Sequence, residues 1–297
     1  MSNLDLNKNS KIYIAGHKGM VGSACWRALE LRGYKNLIGF SSKELDLRNQ
    51  KEVFELIKRE KPYAIIDAAA KVGGILANDT FPYEFLMDNM LIQNNLIKAA
   101  HELDIQKFIF LGSSCIYPKM APQPIIEESL LTGPLDDTNQ WYALAKISGI
   151  KLIEALRKQY SRDYVSLMPT NLYGPGDNYD LKSSHVLPAM IRKFHEAKEN
   201  NTNVLLWGTG SPKREFLHVD DLSKAIIIAL ENKLENSFYN VGSGNEVSIK
   251  ELAEITQKII GHKGLIIWDK SKPDGTPRKL MASNKLFEFG YNPQIEL

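Results

Sequence analysis

The chain has 297 residues, 43% of them hydrophobic, so it can bury a full core in one large domain or two closely joined ones. Its 37 basic and 35 acidic residues nearly balance, which gives no reason to expect nucleic acid or a membrane surface as a partner. Two cysteines argue against a disulfide scaffold and suit a reducing cytoplasm. The polar start, MSNLDLNKNS, and the lack of a long apolar run predict a cytoplasmic protein without a signal peptide.

Short apolar runs alternate with helical patterns up to Pro169. The predicted strands are Lys11–Gly16, Asn36–Phe40, Tyr63–Ala69, Lys107–Ser113 and Asp163–Pro169. Apolar residues recur near helical spacing over Met20–Arg32, Lys51–Glu60, Pro82–Leu103 and Tyr142–Tyr160. Buried strands separated by helices predict an α/β fold with a doubly wound parallel sheet of the Rossmann type.

The pattern changes after Tyr173. A loop rich in Gly, Asp, Asn and Ser follows, then a predicted helix from His185 to Asn200 and shorter strands. We expect residues 1–172 and 215–240 to form a dinucleotide-binding domain. Residues 173–214 and 241–297 are then a smaller mixed α/β lobe over the carboxyl edge of the sheet, where ligands of open α/β sheets bind.

The turn after the first strand carries three regularly spaced glycines, Gly16, Gly19 and Gly22. Glycines at such a turn permit close backbone approach to a pyrophosphate, which the N-terminus of the next helix can hold. The spacing therefore favours a dinucleotide site over an ordinary glycine-rich turn.

The residues after the second predicted strand distinguish between cofactors. NAD sites usually place an acidic residue there to hold the ribose, whereas this chain has Ser41, Ser42 and Lys43. Lys43, together with Lys18 of the glycine turn, could face a 2′-phosphate, which favours NADP(H). The alternative is that both lysines are simply solvated.

Tyr142 and Lys146 are four residues apart and share one face of a predicted helix. An adjacent ammonium favours the phenolate, so we expect the pKa of Tyr142 to move toward working pH. Ser113 or Ser114, at the end of the fourth strand, could hydrogen-bond a carbonyl that Tyr142 protonates. The pair alone is common by chance on helix surfaces, but its order after a glycine turn and a Ser-ended strand favours catalysis.

The order of these elements resembles the extended short-chain dehydrogenase/reductase family, and within it the GDP-L-fucose synthases. The resemblance extends from Lys11 to the end of the chain and rests on the strings AGHKGMVGSA, AAAKVGGILAN, FLGSSCIYPK, PTNLYGPGDN, SSHVLPA, REFLHVDD and SKPDGTPRKL. It implies C3/C5 epimerisation of a GDP-4-keto-6-deoxy sugar followed by reduction at C4 with NADPH. It also implies a final helix beyond NPQIEL and a homodimer formed through Pro82–Leu103 and Tyr142–Tyr160.

The resemblance assigns the reductase triad to Ser113, Tyr142 and Lys146, and the epimerase acid and base to Cys115 and His185. The protons at C3 and C5 are acidified by the C4 ketone, and a thiol and an imidazole can be tuned near neutrality. Simple packing is the alternative for Cys115 and solvent exposure for His185. Cys25 is expected only to pack in the core.

The remaining implied contacts divide between substrate and cofactor. Substrate contacts are expected from Ser114, Asn139, Asn171, Lys193, Trp207, Arg214 and Lys279. Cofactor contacts are expected from Gly16, Lys18, Gly19, Met20, Val21, Gly22, Ser41, Ser42, Lys43, Ala69, Tyr142, Lys146, Pro169, Asn171, Leu172 and His185. No metal site is predicted.

The chain departs from the family pattern at four positions. The family commonly has Arg where this chain has Lys18, Ser42 and Lys193, and Pro where it has Trp141. A reductase acting without epimerisation on another GDP-4-keto-6-deoxy sugar, such as a heptose, is therefore an alternative. An NAD-retaining 4-epimerase would leave Cys115 and His185 unused, and a dehydratase would need an acid where GSSC offers none. A non-catalytic sensor would be expected to lack Tyr142 or Lys146.

Overall fold

The computed structural model describes residues 6–272 and 274–297. Part of the polar N-terminal segment, Met1–Asp5, and Pro273 of SKPDGTPRKL lie outside the described residues. The main sheet has six parallel strands, β1 (Ile12–Ala15), β2 (Leu37–Ile38), β3 (Ala64–Asp67), β4 (Lys107–Leu111), β5 (Asp163–Pro169) and β9 (Phe238–Val241). Their order is β2-β1-β3-β4-β5-β9, which confirms the predicted doubly wound parallel sheet.

Strands β1, β3 and β4 are buried along their whole length, because helices cover both faces of this sheet. The helices along the chain are α1 (Met20–Leu31), α2 (Gln50–Glu60), α3 (Ile75–Thr80), α4 (Pro82–Glu102), α5 (Gln140–Tyr160), α6 (Val186–Glu199), α7 (Val219–Glu231), α8 (Ile249–Ile260) and α9 (Asn284–Phe287). One core lies between the sheet and α2, α4 and α5, and a second lies beneath α1 and α7. Cys25 is fully buried in the second core, as expected.

The C-terminal half contributes the smaller strands β6 (Asn171–Tyr173), β7 (Val204–Trp207), β8 (Lys213–His218), β10 (Glu246–Ser248), β11 (Ile266–Asp269) and β12 (Arg278–Lys279). Strand β8 is central, since it pairs with β6 and β12 in parallel and with β10 antiparallel, while β7 pairs with β11. A third core fills the space around α6, α8 and β7.

Several element boundaries differ from the sequence prediction, and the differences at β4 and α6 bear on the site. Strand β4 ends at Leu111, because Ser113 caps a 3₁₀ turn, Ser114–Ile116, that takes the chain out of the sheet. Helix α6 begins at Val186, with His185 as its extended N-cap residue. Both changes place predicted catalytic residues at turns beside the carboxyl edge of the sheet.

Within the described part of the chain, none of the helices combines the length and apolar character that a membrane crossing requires.

Candidate active site

The first part of the site lies where β4 meets the 3₁₀ turn. The Ser113 hydroxyl accepts a hydrogen bond of 3.4 Å from the Cys115 backbone N–H. Ser114 and Cys115 are buried, whereas Ser113 is half-buried. This turn separates the Ser113 hydroxyl from the Cys115 thiol while keeping both beside the same strand end.

Helix α5 brings Tyr142 and Lys146 to this strand end. The Lys146 ammonium is buried and donates a hydrogen bond of 2.8 Å to the Leu111 carbonyl, the last residue of β4. It also lies 4.6 Å from the Phe110 ring centroid and 5.7 Å from the Tyr142 ring centroid. Ser113, Cys115, Tyr142 and Lys146 therefore converge at the end of β4.

The sequence predicts a lowered pKa for the Tyr142 phenol, and the surroundings of this residue contradict that prediction. Desolvation raises the pKa of the phenol well above its ordinary value, and the nearby Cys115 and Asp67 raise it further because each adds negative charge when ionised. Lys146 points toward the Leu111 carbonyl, and burial lowers its own pKa. Tyr142 is accordingly a protonated phenol, a proton donor rather than a phenolate.

Cys115 lies between opposing electrostatic influences. Burial raises the pKa of its thiol, while Lys279, Ser113 and Lys146 act in the opposite direction. Lys279 comes from β12, so the C-terminal part of the chain contributes directly to the environment of the thiol. Two cations therefore lie within electrostatic reach of this buried thiol.

His185 lies on the loop before α6, as the N-cap residue of that helix. That loop is fixed by a hydrogen bond of 2.9 Å from the Gly74 N–H to the Ser183 carbonyl. A Cβ atom at Gly74 would lie 2.6 Å from the Ser184 carbonyl oxygen, so the approach requires glycine. Thus the KVGG and SSHV motifs, far apart in sequence, meet here.

The His185 ring is exposed at its surface, yet the protein around it lowers its pKa by desolvation, and the Asp177 carboxylate acts in the opposite direction. Its side chain makes no capping hydrogen bond to α6. Among the described residues, no hydrogen bond or ion pair joins His185 to Cys115.

The glycine turn has the geometry that a pyrophosphate site needs. Gly16 has a φ of +78°, and a Cβ atom at Gly22 would lie 2.2 Å from the Gly16 carbonyl oxygen. Helix α1 begins after Gly19, which has no side chain to cap the first amides. Met20 and Val21 belong to that first turn, so the helix N-terminus can receive an anion.

The turn after β2 contains an acidic residue that the sequence interpretation missed. Glu44 accepts hydrogen bonds from the Ser41 N–H at 2.8 Å and from the Ser41 hydroxyl at 2.6 Å. These two bonds are the main causes that lower the pKa of Glu44, and Lys18 also contributes. Lys18 therefore lies within electrostatic reach of the turn, while Ser42 and Lys43 are exposed on it.

The other predicted cofactor residues lie along the sheet. Ala69 follows β3 and its N–H donates a hydrogen bond of 3.2 Å to Asp67. Pro169 ends β5, and Leu172 lies in β6 against the second core. The Asn171 side-chain amide donates a hydrogen bond of 2.8 Å to the Glu215 carbonyl, which links β6 to β8.

Arg214 and Lys279 are register partners on β8 and β12, which places two cations side by side. Arg214 donates hydrogen bonds to the carbonyls of Lys213 at 2.8 Å and Thr276 at 2.5 Å. Asp136, which the sequence interpretation missed, accepts a hydrogen bond from the Thr276 hydroxyl at 3.2 Å and interacts electrostatically with both cations.

Asn139, the N-cap residue of α5, has a buried Oδ1 without a hydrogen-bond partner among the described residues. An unsatisfied buried acceptor is costly, so this atom is available to a ligand donor.

Trp207, Lys193 and Leu205 line a surface cavity of about 390 Å³ between α6 and β7. The Lys193 ammonium donates to the Leu205 carbonyl at 3.1 Å and lies 6.0 Å from the Trp207 ring centroid. Lys272 lies 5.6 Å from the same centroid, and the sequence interpretation had not singled it out. An exposed indole flanked by two cations suits an anionic aromatic ligand such as a nucleotide. A larger cleft of about 500 Å³ lies at the opposite edge of the sheet and is lined by none of the predicted site residues.

The profile of the NAD dependent epimerase/dehydratase family matches residues 12–242. The chain belongs to this family. GDP-L-fucose synthase 1 of Arabidopsis thaliana is 53% identical over 98% of this chain and 90% of its own length. GDP-L-fucose synthase of Escherichia coli K12 is 50% identical over 97% of this chain and 92% of its own. The resemblance drawn from the motifs is therefore confirmed.

A solved member of similar fold is a GDP-mannoheptose C4 reductase from Campylobacter jejuni with NADP bound. It is 36% identical, with a TM-score of 0.89 over 98% of this chain and 96% of that one. Both hexose and heptose enzymes are thus among the relatives of this epimerase/dehydratase family member.

The most unexpected residue of the site is Asp67, at the end of β3. It is fully buried, and its Oδ2 has no hydrogen-bond partner among the described residues. Burial raises its pKa to about 6, against the attraction of Lys146. In the sequence, Asp67 is a single polar residue inside an apolar run, and no pattern distinguishes it as a site residue.

Proposed function

We propose that this protein catalyses NADPH-dependent C4 reduction of a GDP-4-keto-6-deoxy sugar, coupled to C3/C5 epimerisation. The observation that supports this function best is the convergence of Ser113, Cys115, Tyr142 and Lys146 at one strand end. The protein is an oxidoreductase of nucleotide-sugar biosynthesis and uses NADP(H). The relatedness to GDP-L-fucose synthases supports the hexose as its first substrate.

The glycine turn and the turn after β2 would hold the cofactor. The first amides of α1 would bind the pyrophosphate, because the turn Gly16–Gly22 leaves them uncapped. Lys18 and the Ser41–Lys43 turn would bind the 2′-phosphate, whose charge Lys18 complements. When bound, the cofactor supplies a hydride to C4.

The side chains complete the reduction by handling the proton. Tyr142 donates its phenolic proton to the C4 carbonyl oxygen, which becomes the hydroxyl, while Ser113 donates a hydrogen bond to the same oxygen. The Lys146 ammonium lies 5.7 Å from the Tyr142 ring centroid, and its charge stabilises the phenolate that remains. The raised pKa of Tyr142 keeps its proton available for this step.

Epimerisation uses the same ketone. Cys115 is the base at C3 and C5: burial raises the pKa of its thiol, and Lys279 and Lys146 oppose that shift by favouring the thiolate. Removal of a proton from either carbon leaves an enolate that extends over that carbon and C4. His185 returns a proton to the carbon; burial lowers its pKa, and the Asp177 carboxylate opposes that shift. Inversion of a carbon centre requires an acid and a base on opposite faces of that carbon.

The nucleotide part of the substrate binds in the C-terminal half. Arg214 and Lys279 supply adjacent positive charge for the diphosphate, and Trp207 with Lys193 supplies a face for the base. Ser114, Asn139 and Asn171 offer polar groups toward the sugar. The unpartnered Oδ1 of Asn139 is the strongest of these observations.

A second candidate substrate is a GDP-4-keto-6-deoxyheptose that is reduced without epimerisation. It is favoured by Trp141, which is 37% exposed beside Tyr142 where the resembling family usually has Pro, and by the likeness to the heptose reductase. The protein acts in the cytoplasm, which its two free thiols suit, and it works as a homodimer.

The test of the reductase function compares Tyr142→Phe with Tyr160→Phe. Tyr160 is an exposed tyrosine at the other end of the same helix and serves as the matched control. Removing the Tyr142 hydroxyl removes the proton donor, so NADPH oxidation with a GDP-4-keto-6-deoxy sugar falls by about 10²–10⁴-fold. Tyr160→Phe retains wild-type turnover. Equal activity of the two variants contradicts the assignment.

A further inference from the structure

Asp67 is a carboxylic acid in a place that otherwise holds apolar side chains. It ends β3, opposite Ala15 of β1 and Phe110 of β4, and is fully buried. Oδ1 accepts the Ala69 N–H at 3.2 Å, and Oδ2 accepts nothing among the described residues. A buried carboxyl with an unused oxygen is costly to fold, which calls for a compensating role.

The groups around this carboxyl come from three elements. From α5, the Lys146 ammonium binds the Leu111 carbonyl and lies 4.6 Å from the ring of Phe110, the strand partner of Asp67, which brings it to the end of β3. Tyr142 of α5 and Tyr13 of β1 interact electrostatically with Asp67, and Cys115 of the 3₁₀ turn interacts with the two α5 residues. The Tyr13 hydroxyl is also buried without a hydrogen-bond partner in the described part of the chain. Among the described residues, Lys146 is the one cation that couples to Asp67, and the one hydrogen bond of its ammonium, to the Leu111 carbonyl, leaves two of its three protons available.

An ionised Asp67 shifts the pKa values of Lys146 and Tyr142 in the same direction, upward. A negative charge nearby makes it harder to remove a proton from either the Lys146 ammonium or the Tyr142 phenol. Burial of Lys146 works in the opposite direction and favours its neutral amine. Without a counter-ion, the buried lysine would lose its charge at lower pH.

We propose that Asp67 is a positioning residue of the reductase site, whose buried carboxylate acts as the counter-ion of Lys146 and keeps both the ammonium and the Tyr142 phenol protonated. It does not touch the reacting atoms. It extends the pH range over which Tyr142 can deliver its proton to the ketone. This inference rests on the reductase function proposed above.

The test is the pH profile of single-turnover NADPH oxidation in wild type, Asp67→Asn and Asp67→Leu. Both substitutions remove the charge, so Lys146 and Tyr142 deprotonate more readily. We expect the alkaline limb to move to lower pH by about one unit or more. Below about pH 6, where Asp67 itself is protonated, the wild-type and Asn profiles converge. Glu127→Gln is the control, because Glu127 is a buried carboxyl that is not among the causes shifting the pKa of Tyr142 or Lys146.

A limb that stays in place in both Asp67 variants, or that moves equally in Glu127→Gln, overturns the proposal. A second measurement needs no substrate and therefore separates it from the proposed function. Carbon-13 NMR of aspartate-labelled wild type is expected to show one carboxyl titrating near pH 6 that is lost in Asp67→Asn. If the enzyme proves inactive on GDP-4-keto sugars, this titration alone decides whether the carboxyl has the expected charge state, and its absence overturns the inference.

Discussion

Ser113 and Cys115 are two positions apart, yet their surroundings suit them to different tasks. Ser113 is half-buried at the strand end beside Tyr142, whereas the Cys115 thiol is buried and lies near the cations Lys279 and Lys146. The 3₁₀ turn produces this separation, since the Ser113 hydroxyl caps it and the residues that follow are buried. One strand end can thereby serve carbonyl reduction and proton abstraction on the same ketone.

Lys279 provides a test of the thiol at the residue scale. Because its charge lowers the pKa of Cys115, Lys279→Met raises that pKa and reduces the thiolate fraction at any given pH. At saturating substrate and neutral pH, solvent deuterium uptake at C3 and C5 should fall by about tenfold or more and recover as the pH is raised.

The control for this prediction is Lys285→Met, since Lys285 pairs with Glu127 and Glu128 instead. The assignment of Cys115 as the base is contradicted if the uptake profile of Lys279→Met keeps its position on the pH axis.

At the scale of elements, the glycine turn before α1 is the proposed site for the pyrophosphate of the cofactor. Gly22 packs directly on the Gly16 carbonyl, so the first turn of the helix and the strand end are held together by the absence of side chains. The exposed amides of that helix turn are the anion site.

Gly22→Ala is therefore expected to displace this turn. The new methyl group would overlap the Gly16 carbonyl at 2.2 Å, which should cost about 1–3 kcal/mol of unfolding free energy and weaken NADPH binding by about tenfold or more. Binding is measured by NADPH fluorescence titration, and stability by urea denaturation. Gly19→Ala is the graded control, since its Cβ would lie 3.3 Å from the same oxygen at a negative φ. Comparable losses in both variants argue against the close-packing explanation.

The sheet, its helices and the cluster at the end of β4 could be predicted because apolar periodicity and strand-end placement are local signals. The pairing of KVGG with SSHV at Gly74 and Ser183 could not, because it depends on how distant loops fold together. Asp67 gave no signal, since a single carboxyl within an apolar run carries no periodicity. The pKa of Tyr142 was predicted in the wrong direction because spacing alone does not reveal burial.

At the scale of the whole molecule, α4 and α5 pack on each other and leave an apolar face uncovered. On α4, Tyr83, Met87 and Leu91 are spaced by four residues and are between 37% and 68% exposed. On α5, Trp141 and Leu144 are exposed beside them. A face of this kind is suited to a second copy of the chain, in agreement with the proposed homodimer.

Leu91→Glu places a charge in the middle of that face and should convert dimers into monomers. Light scattering after size-exclusion chromatography measures the mass directly. Leu31→Glu is the control, because Leu31 is 90% exposed on α1, away from this face. A wild type that is already monomeric, or a Leu91→Glu variant that stays dimeric, contradicts the role of the α4–α5 face.

The central claim is that one bound ketone serves both reduction at C4 and epimerisation at C3 and C5. The most direct measurement is NMR of the product formed in deuterated water from GDP-4-keto-6-deoxymannose and NADPH, with the heptose analogue in parallel. The account predicts deuterium at C3 and C5 in wild type, and in Cys115→Ser no deuterium but continued reduction of an already epimerised substrate. Wild-type product that carries no deuterium at either carbon would contradict it and leave a reductase alone.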